Sequence, residues 1–181
     1  RIHYYRTGRG ERTALVLSHG ITDNGLCWTP VAQRLGHDYD VIMVDTRGHG
    51  LSDKPESDYS AEQHASDLSG LMQALELGKS RVMGHSMGAE IVAVLAVRHP
   101  ELCLCAVLED PPWREGLLDS EKTRRERAAE YRGSIQERNA ASREELLAQN
   151  RQDSPSWSEA EREPWATAKQ QVSPHAAQFV R

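Results

Sequence analysis

The pentapeptide Gly-His-Ser-Met-Gly at positions 84–88 constrains the fold of this chain more than any other feature. It follows a short strand pattern, Arg81–Met83, and precedes a helical pattern, Gly88–Arg98. Glycines on both sides of Ser86 permit a sharp turn between strand and helix, which lifts the serine hydroxyl clear of the sheet. The pattern therefore predicts that Ser86 is a nucleophile at the N-terminus of a helix.

Short apolar runs alternate with helical patterns over residues 1–113, as expected of an α/β fold with a mostly parallel sheet and helices on both faces. Leu102–Leu108 is apolar throughout, which is typical of a strand covered on both faces. The predicted strands are Ile2–Tyr5, expected to be antiparallel, then Ala14–Ser18, Val41–Val44, Arg81–Met83 and Leu102–Leu108.

Capping patterns mark the starts of two predicted helices. Thr29 before Pro30 predicts one start, and Gly36 can end that helix. Ser60 with Gln63 predicts a capping box for the next helix. Gly88–Arg98 is apolar on nearly every side, so we expect that helix to be buried.

The character of the sequence changes after Trp113. Residues 114–181 contain equal numbers of acidic and basic side chains, no strand pattern, and two capping boxes, Ser142 with Glu145 and Ser158 with Glu161. Such a charge-rich segment is usually a solvated surface. Its place directly after a sheet strand favours a helical cap or lid over a site. We therefore divide the chain into 1–113, the N-terminal part of the sheet domain, and 114–181, the cap.

Composition limits the classes of partner. The chain has 181 residues and a net charge of −5, which argues against nucleic acid or an anionic membrane surface. No apolar stretch approaches the roughly 20 residues of a membrane span. Three cysteines do not form a disulfide framework, so we expect a reducing, cytoplasmic location. No metal-ligand spacing or phosphate loop is present, so no metal or cofactor is expected; the oligomeric state stays open.

Three motifs together resemble the α/β-hydrolase superfamily: His19-Gly20, Asp-Thr-Arg-Gly-His-Gly-Leu-Ser at 45–52, and the pentapeptide at 84–88. They stand in the family's order and at its usual separations. The resemblance covers residues 1–113, whereas 114–181 is similar to the family's lids only in kind. It implies that the amides of Ile21 and Met87 bind an oxyanion, that His19 orients rather than catalyses, and that 45–52 is a structural turn.

A serine nucleophile needs a base and a carboxylate that orients the base. Asp110, which follows Glu109 at the end of the last predicted strand, is the candidate acid; a later carboxylate, or a loop-fixing role for Asp110, is the alternative. His175 falls in the cap, and nothing in the sequence brings it near Ser86. The resemblance implies that the histidine and two further strands lie beyond Arg181, in roughly 60–100 residues. Residues 1–181 by themselves are then expected to be inactive.

The expected reaction is hydrolysis of a small-molecule carboxylic ester, thioester or lactone through an acyl-enzyme. Serine at this turn argues against the dehalogenase and epoxide hydrolase branches, which resemble this chain but use aspartate. Two other enzymatic interpretations remain, a C–C bond hydrolase and a cofactor-free perhydrolase with the same triad, and one non-enzymatic one, a ligand-binding receptor. Trp28 and Trp113 are predicted to line an apolar substrate pocket or to pack in the core.

Overall fold

A five-stranded sheet organises the first half of the chain. The computed structural model describes residues 1–113 and 120–180. Strand β1 runs antiparallel to β3 at one edge, and the remaining neighbours are parallel, in the order β1-β3-β2-β4-β5. The α/β fold with a mostly parallel sheet is confirmed. The strands are β1 (His3–Arg6), β2 (Ala14–Ser18), β3 (Asp40–Asp45), β4 (Ser80–His85) and β5 (Cys103–Glu109).

Helices cover both faces of this sheet. Successive residues of a strand point to opposite faces, so Val16 of β2 joins one hydrophobic layer and Leu17 joins the other. Residues of α2 and α3 complete the first layer, and residues of α1 complete the second. The three helices are α1 (Thr29–Leu35), α2 (Ala61–Ala74) and α3 (Met87–Arg98).

The helical segment, as we call residues 120–180, follows the sheet. It contains no strand, and both predicted capping boxes, at Ser142 and at Ser158, form. The rest of the predicted cap, residues 114–119 and 181, lies outside the described residues. The segment comprises α4 (Glu121–Ala140), α5 (Arg143–Asp153), α6 (Glu159–Gln171) and a 3-10 helix (Pro174–Val180).

Two predicted helix starts differ in the structure. A 3-10 turn, Gly25–Trp28, runs directly into α1, so Asn24 provides the cap by accepting from the Leu26 N–H at 3.1 Å. Thr29 lies inside the helix and donates from Oγ1 to the Leu26 carbonyl oxygen. At α2, Ser60 Oγ accepts from the Gln63 N–H at 3.2 Å, but the Gln63 side chain points to Asp67 instead of closing the box.

Burial at the β5 edge is lower than the sequence predicts. Leu104 and Val107 of β5 are 52% and 49% exposed, and Val97 of α3 is 81% exposed. Strand β5 has only β4 as a neighbour in the sheet. Residues 1–113 and 120–180 thus leave β5 as an exposed apolar edge, which agrees with the expectation that its cover comes from further strands, whereas the prediction that α3 is buried all round is wrong.

Asp45, at the end of β3, organises the turn at 45–52. Its carboxylate is fully buried, and it accepts from the Gly25 N–H at 2.7 Å and from the Leu51 N–H at 3.0 Å. A Cβ on Gly50 would lie 2.3 Å from the same carboxyl group. One side chain thus joins the start of the 3-10 turn to the loop after β3, which fits a structural role for this motif.

We expect Asp45→Ala to lower the free energy of unfolding by about 1–3 kcal/mol, because it leaves the buried Gly25 N–H without an acceptor and removes the acceptor of the partly buried Leu51 N–H. Asp45→Asn, which keeps one acceptor oxygen, should cost less. Urea unfolding of the whole protein measures both. A change below about 0.5 kcal/mol for Asp45→Ala would show that the turn does not depend on this carboxylate.

Candidate active site

Ser86 lies at the turn between β4 and α3 in a conformation that is rare for a residue with a side chain. Its φ and ψ are 51° and −116°, outside the regions that L-residues ordinarily occupy. A Cβ on Gly84 would lie 2.0 Å from the Gly88 carbonyl oxygen, and one on Gly88 would lie 2.2 Å from the Ser18 carbonyl oxygen. Only glycine fits on either side, so close packing holds the strained turn in place.

Hydrogen bonds fix the same turn. The Ser86 N–H donates to the Glu109 carbonyl oxygen at 2.9 Å, which joins the turn to the end of β5. Met87 begins α3 and is 2% exposed. The N–H groups of a first helical turn have no acceptor within their helix, and the helix dipole is positive there. The Met87 amide is therefore chemically suited to a negative charge beside Ser86.

Ser86 lines a cavity of about 220 Å³ that we call the serine cavity. Ile21, in the loop after β2, and Met87 line it too, so the structure brings together the three residues that the sequence predicts to act on one carbonyl group. No motif in the sequence marks the other lining residues. These are Glu90, Pro112, Arg124, Arg127, Tyr131, Phe179 and Val180.

A buried histidine supports the loop that carries Ile21. The His49 ring is unexposed, and its Nε2 lies 2.7 Å from the Ile21 carbonyl oxygen. Its Nδ1 lies 2.9 Å from the Arg47 carbonyl oxygen. Burial lowers the pKa of His49, and a neutral ring carries one N–H. Nε2 therefore donates to the Ile21 carbonyl oxygen, while Nδ1 accepts from the Thr46 hydroxyl at 3.1 Å, so the ring joins the Ile21 loop to the turn at 45–52.

His19 also acts within the scaffold. Its Nε2 accepts from the Thr46 N–H at 3.2 Å, so the ring proton is on Nδ1, which donates to the Gly20 carbonyl oxygen at 2.8 Å. Burial, and then the neighbouring His49, lower the pKa of His19 to about 3. Both ring nitrogens are engaged, which fits an orienting role and leaves none for proton transfer from Ser86.

The candidate acid and base residues are not assembled around Ser86. Asp110 directly follows β5, is exposed, and has a φ of 45°. Within residues 1–113 and 120–180, no histidine bonds to its carboxylate and none lines the serine cavity. His175 lies on the last 3-10 helix, which contributes Phe179 and Val180 to the cavity instead.

The two tryptophans lie away from the serine cavity. Trp28 is 8% exposed and lines a second cavity, of about 320 Å³, with His85, Glu109 and Trp165. Trp113 is 57% exposed and lies beside Val97 on the outer side of α3. The structure therefore does not bring Trp28 and Trp113 together in one pocket.

The sequence model of the α/β-hydrolase fold matches residues 13–178. The chain belongs to the α/β-hydrolase fold family. Over 102 residues it is 39% identical to 2-(acetamidomethylene)succinate hydrolase of Mesorhizobium japonicum, a match that covers 56% of this chain and 37% of the relative. Over 113 residues it is 41% identical to N-formylmaleamate deformylase of Pseudomonas putida, with 62% and 42% covered.

A solved structure of N-formylmaleamic acid deformylase, a serine-to-alanine variant from Pseudomonas putida S16, has a similar fold. The TM-score is 0.77 at 28% identity, and the match covers 99% of this chain and 68% of that one. The matches span about two fifths of the length of the two curated relatives. The comparisons thus identify this α/β hydrolase as a relative of hydrolases that act on small molecules.

In this α/β hydrolase, the end of α6 is attached to the loop that carries Ile21. Lys169 is 5% exposed, and its Nζ donates to the carbonyl oxygen and the hydroxyl of Thr22, both at 2.8 Å, and to Asp23 Oδ1 at 2.7 Å. Burial alone would raise the pKa of Asp23, but the Lys169 charge outweighs it and the pKa is lowered. Two residues of the loop next to Ile21 are thus held by the helical segment.

Within residues 1–113 and 120–180, no three His, Cys, Asp or Glu side chains converge in a way that could hold a metal ion. In the same ranges, no helix combines the length and the apolar character needed to cross a membrane.

The buried histidines predict a pH dependence of stability. An unfolded chain protonates His19 near pH 6.5, whereas the folded protein does so only near pH 3. The unfolded state therefore binds more protons between these values. As the pH is lowered through this range, the free energy of unfolding should decrease by up to about 1.4 kcal/mol per pH unit. His64, whose pKa burial lowers to about 4, adds to this slope.

Urea unfolding between pH 7 and pH 5 measures this dependence of the free energy of unfolding on pH. His19→Asn should flatten the curve and the exposed His37→Asn should not; equal slopes would contradict the argument.

Lys169→Met should lower the free energy of unfolding by about 1.5–3 kcal/mol, because Asp23 and Thr22 lose a charged hydrogen-bond donor. We also expect faster amide hydrogen exchange at 20–24. Lys122→Met is the matched control, since Lys122 is exposed and its Nζ lies 3.8 Å from the also exposed carboxylate of Glu126, one turn away. Equal exchange in both variants would show that α6 does not hold this loop.

Proposed function

We propose that this protein is a serine hydrolase in which Ser86 forms an acyl-enzyme, and that the acyl group it takes is bonded to nitrogen or carbon rather than to an ester oxygen. The assignment of Ser86 as the nucleophile rests on its strained backbone at a helix N-terminus, in one cavity with Ile21. Serine hydroxyls held in this way act as nucleophiles when a base is available.

The second half of the proposal draws on the named relatives. One is a deformylase of an N-formyl compound and the other is a hydrolase of an acetamidomethylene compound, and neither name describes an ester. They support the alternative drawn from the sequence, hydrolysis of a bond such as C–C by the same machinery, better than they support ester, thioester or lactone cleavage. Ester cleavage is therefore the second candidate.

In the proposed reaction, Ser86 Oγ attacks the substrate carbonyl carbon while a base takes its proton. The Ile21 and Met87 amides bind the oxyanion that forms. The bond to nitrogen or carbon then breaks, the leaving atom takes the proton, and water hydrolyses the Ser86 ester to release the acid and restore the hydroxyl. We assign the base to a histidine outside the described lining of the cavity, oriented by Asp110 or by a later carboxylate.

Of the two tryptophans, Trp28 has a role in this proposal and Trp113 has none. Trp28 would contact only a substrate group that reaches the second cavity, where Trp165 of the helical segment lies opposite. This arrangement supports a lid role for that segment. We leave Trp113 out, because its ring is largely exposed and lines neither of the two cavities.

Ser86→Ala should lower turnover on the order of 10⁶-fold, as removal of the nucleophile does in other serine hydrolases. A fluorophosphonate probe should label the wild type and not this variant. Ser57→Ala, at an exposed loop position, should be labelled and active like the wild type. Equal labelling of the wild type and Ser86→Ala would remove Ser86 from the mechanism.

The bond type is tested with an ester, an amide and a β-diketone that carry the same acetyl group. We expect the largest rate enhancement over the uncatalysed reaction for the amide or the diketone. A larger enhancement for the ester would favour the second candidate. Absence of both turnover and labelling would favour a binding protein with a hydrolase fold.

A further inference from the structure

The serine cavity contains two arginines to which the proposed reaction gives no role. We propose that this cavity binds substrates that carry a carboxylate, and that Arg124 of α4 holds that group. The inference rests on the proposed function for the identity of the reacting atom, but the binding of the carboxylate does not depend on turnover.

The spacing of residues on α4 explains how charged side chains come to line a cavity. Arg124, Arg127 and Tyr131 stand at positions i, i+3 and i+7, which lie on one face of a helix. Ile135, one turn further, continues this face; it is 1% exposed and belongs to a cluster with Val172. The buried end of the face fixes the rotation of α4, and the same face presents its other three residues to the cavity.

Arg124 differs from the neighbouring cations of α4 in its contacts. Arg125 pairs with Glu121, and Lys122 lies 3.8 Å from Glu126. Across residues 1–113 and 120–180, no acidic side chain forms an ion pair with Arg124. Its guanidinium is therefore able to bind an anion in the cavity without first breaking an ion pair.

The charge balance of the cavity favours an anion. Glu90 is the one acidic side chain among its described lining residues, and Arg124 is a guanidinium there that no described acidic side chain pairs with. Burial, and then the charge of Glu62, raise the pKa of Glu90. Tyr131 adds a hydroxyl that can donate to an anion.

Geometry and size favour a carboxylate on a small molecule. The planar guanidinium matches a carboxylate with two parallel hydrogen bonds. At about 220 Å³ the cavity is smaller than the roughly 300–1,000 Å³ of pockets for drug-sized ligands. A substrate that fills it therefore places its carboxylate and its reacting carbonyl group in the same small space.

Binding is tested without turnover in the Ser86→Ala protein, by calorimetry with N-acetylglycine and its uncharged amide. We expect the acid to bind at least tenfold more tightly, and its affinity to fall with added salt. Arg124→Gln should weaken binding of the acid by about tenfold to a hundredfold, as expected for a charged hydrogen bond, and leave the amide unchanged. Arg132→Gln, an exposed arginine of the same helix outside the cavity, is the control.

Equal affinity for the acid and the amide, or equal loss of affinity in Arg124→Gln and Arg132→Gln, overturns the inference. Inorganic phosphate that competes as strongly as N-acetylglycine overturns the choice of carboxylate. Far-ultraviolet circular dichroism checks that both variants keep the helix.

The wild type separates this inference from the proposed function. Hydrolysis of the acid and the amide with equal kcat/KM, unaffected by Arg124→Gln, supports the proposed function and overturns the inference. Binding of the acid through Arg124 without hydrolysis of any acetyl compound and without Ser86 labelling supports the inference and contradicts the proposed function.

Discussion

Helix α3 lies so close to the end of β2 that a single added carbon at Gly88 would overlap the Ser18 carbonyl oxygen. This contact fixes the height of the α3 N-terminus above the sheet, and with it the position of the Met87 amide. Gly84 of β4 faces Gly88 at a similar distance, so α3 packs closely against both β2 and β4. The strained φ of Ser86 is the conformation that joins a strand and a helix held this close together.

Buried polar groups hold the loops around this contact. His49 bonds to the loop that carries Ile21, and Asp45 bonds to the turn that contains His49. Each of these groups is fully buried, and a buried polar group is expensive to leave unpaired. The loops are thereby restricted to positions that satisfy every partner, which helps to shape the serine cavity.

Hydrophobic periodicity and turn residues in the sequence are sufficient to predict the sheet. β-strands and helices differ in the spacing of their apolar residues, and glycines mark the sharp turn at Ser86. They fail where the outcome depends on a neighbour distant in sequence. Threonine is a common N-cap residue, but a 3-10 turn precedes Thr29, so Asn24 at the start of that turn is the cap instead. Trp28 follows the loop that carries Ile21 in sequence, yet its ring lines the second cavity. The spacing of Arg124, Arg127 and Tyr131 is visible in the sequence, but only the burial of Ile135 shows which way that face points.

The helical segment is attached more firmly at α6 than at α4. Lys169 of α6 makes three hydrogen bonds to the Ile21 loop, whereas Ile135 is the one buried residue of α4. The half of α4 that carries Arg124 therefore has few buried contacts to lose if it moves, and such regions open at low free-energy cost. A ligand that bonds to Arg124 and to the Ser86 side of the cavity adds a contact that exists only when α4 is in place. Ligand binding and closure of the cavity then stabilise each other, to the extent that the ligand binds the closed form more tightly.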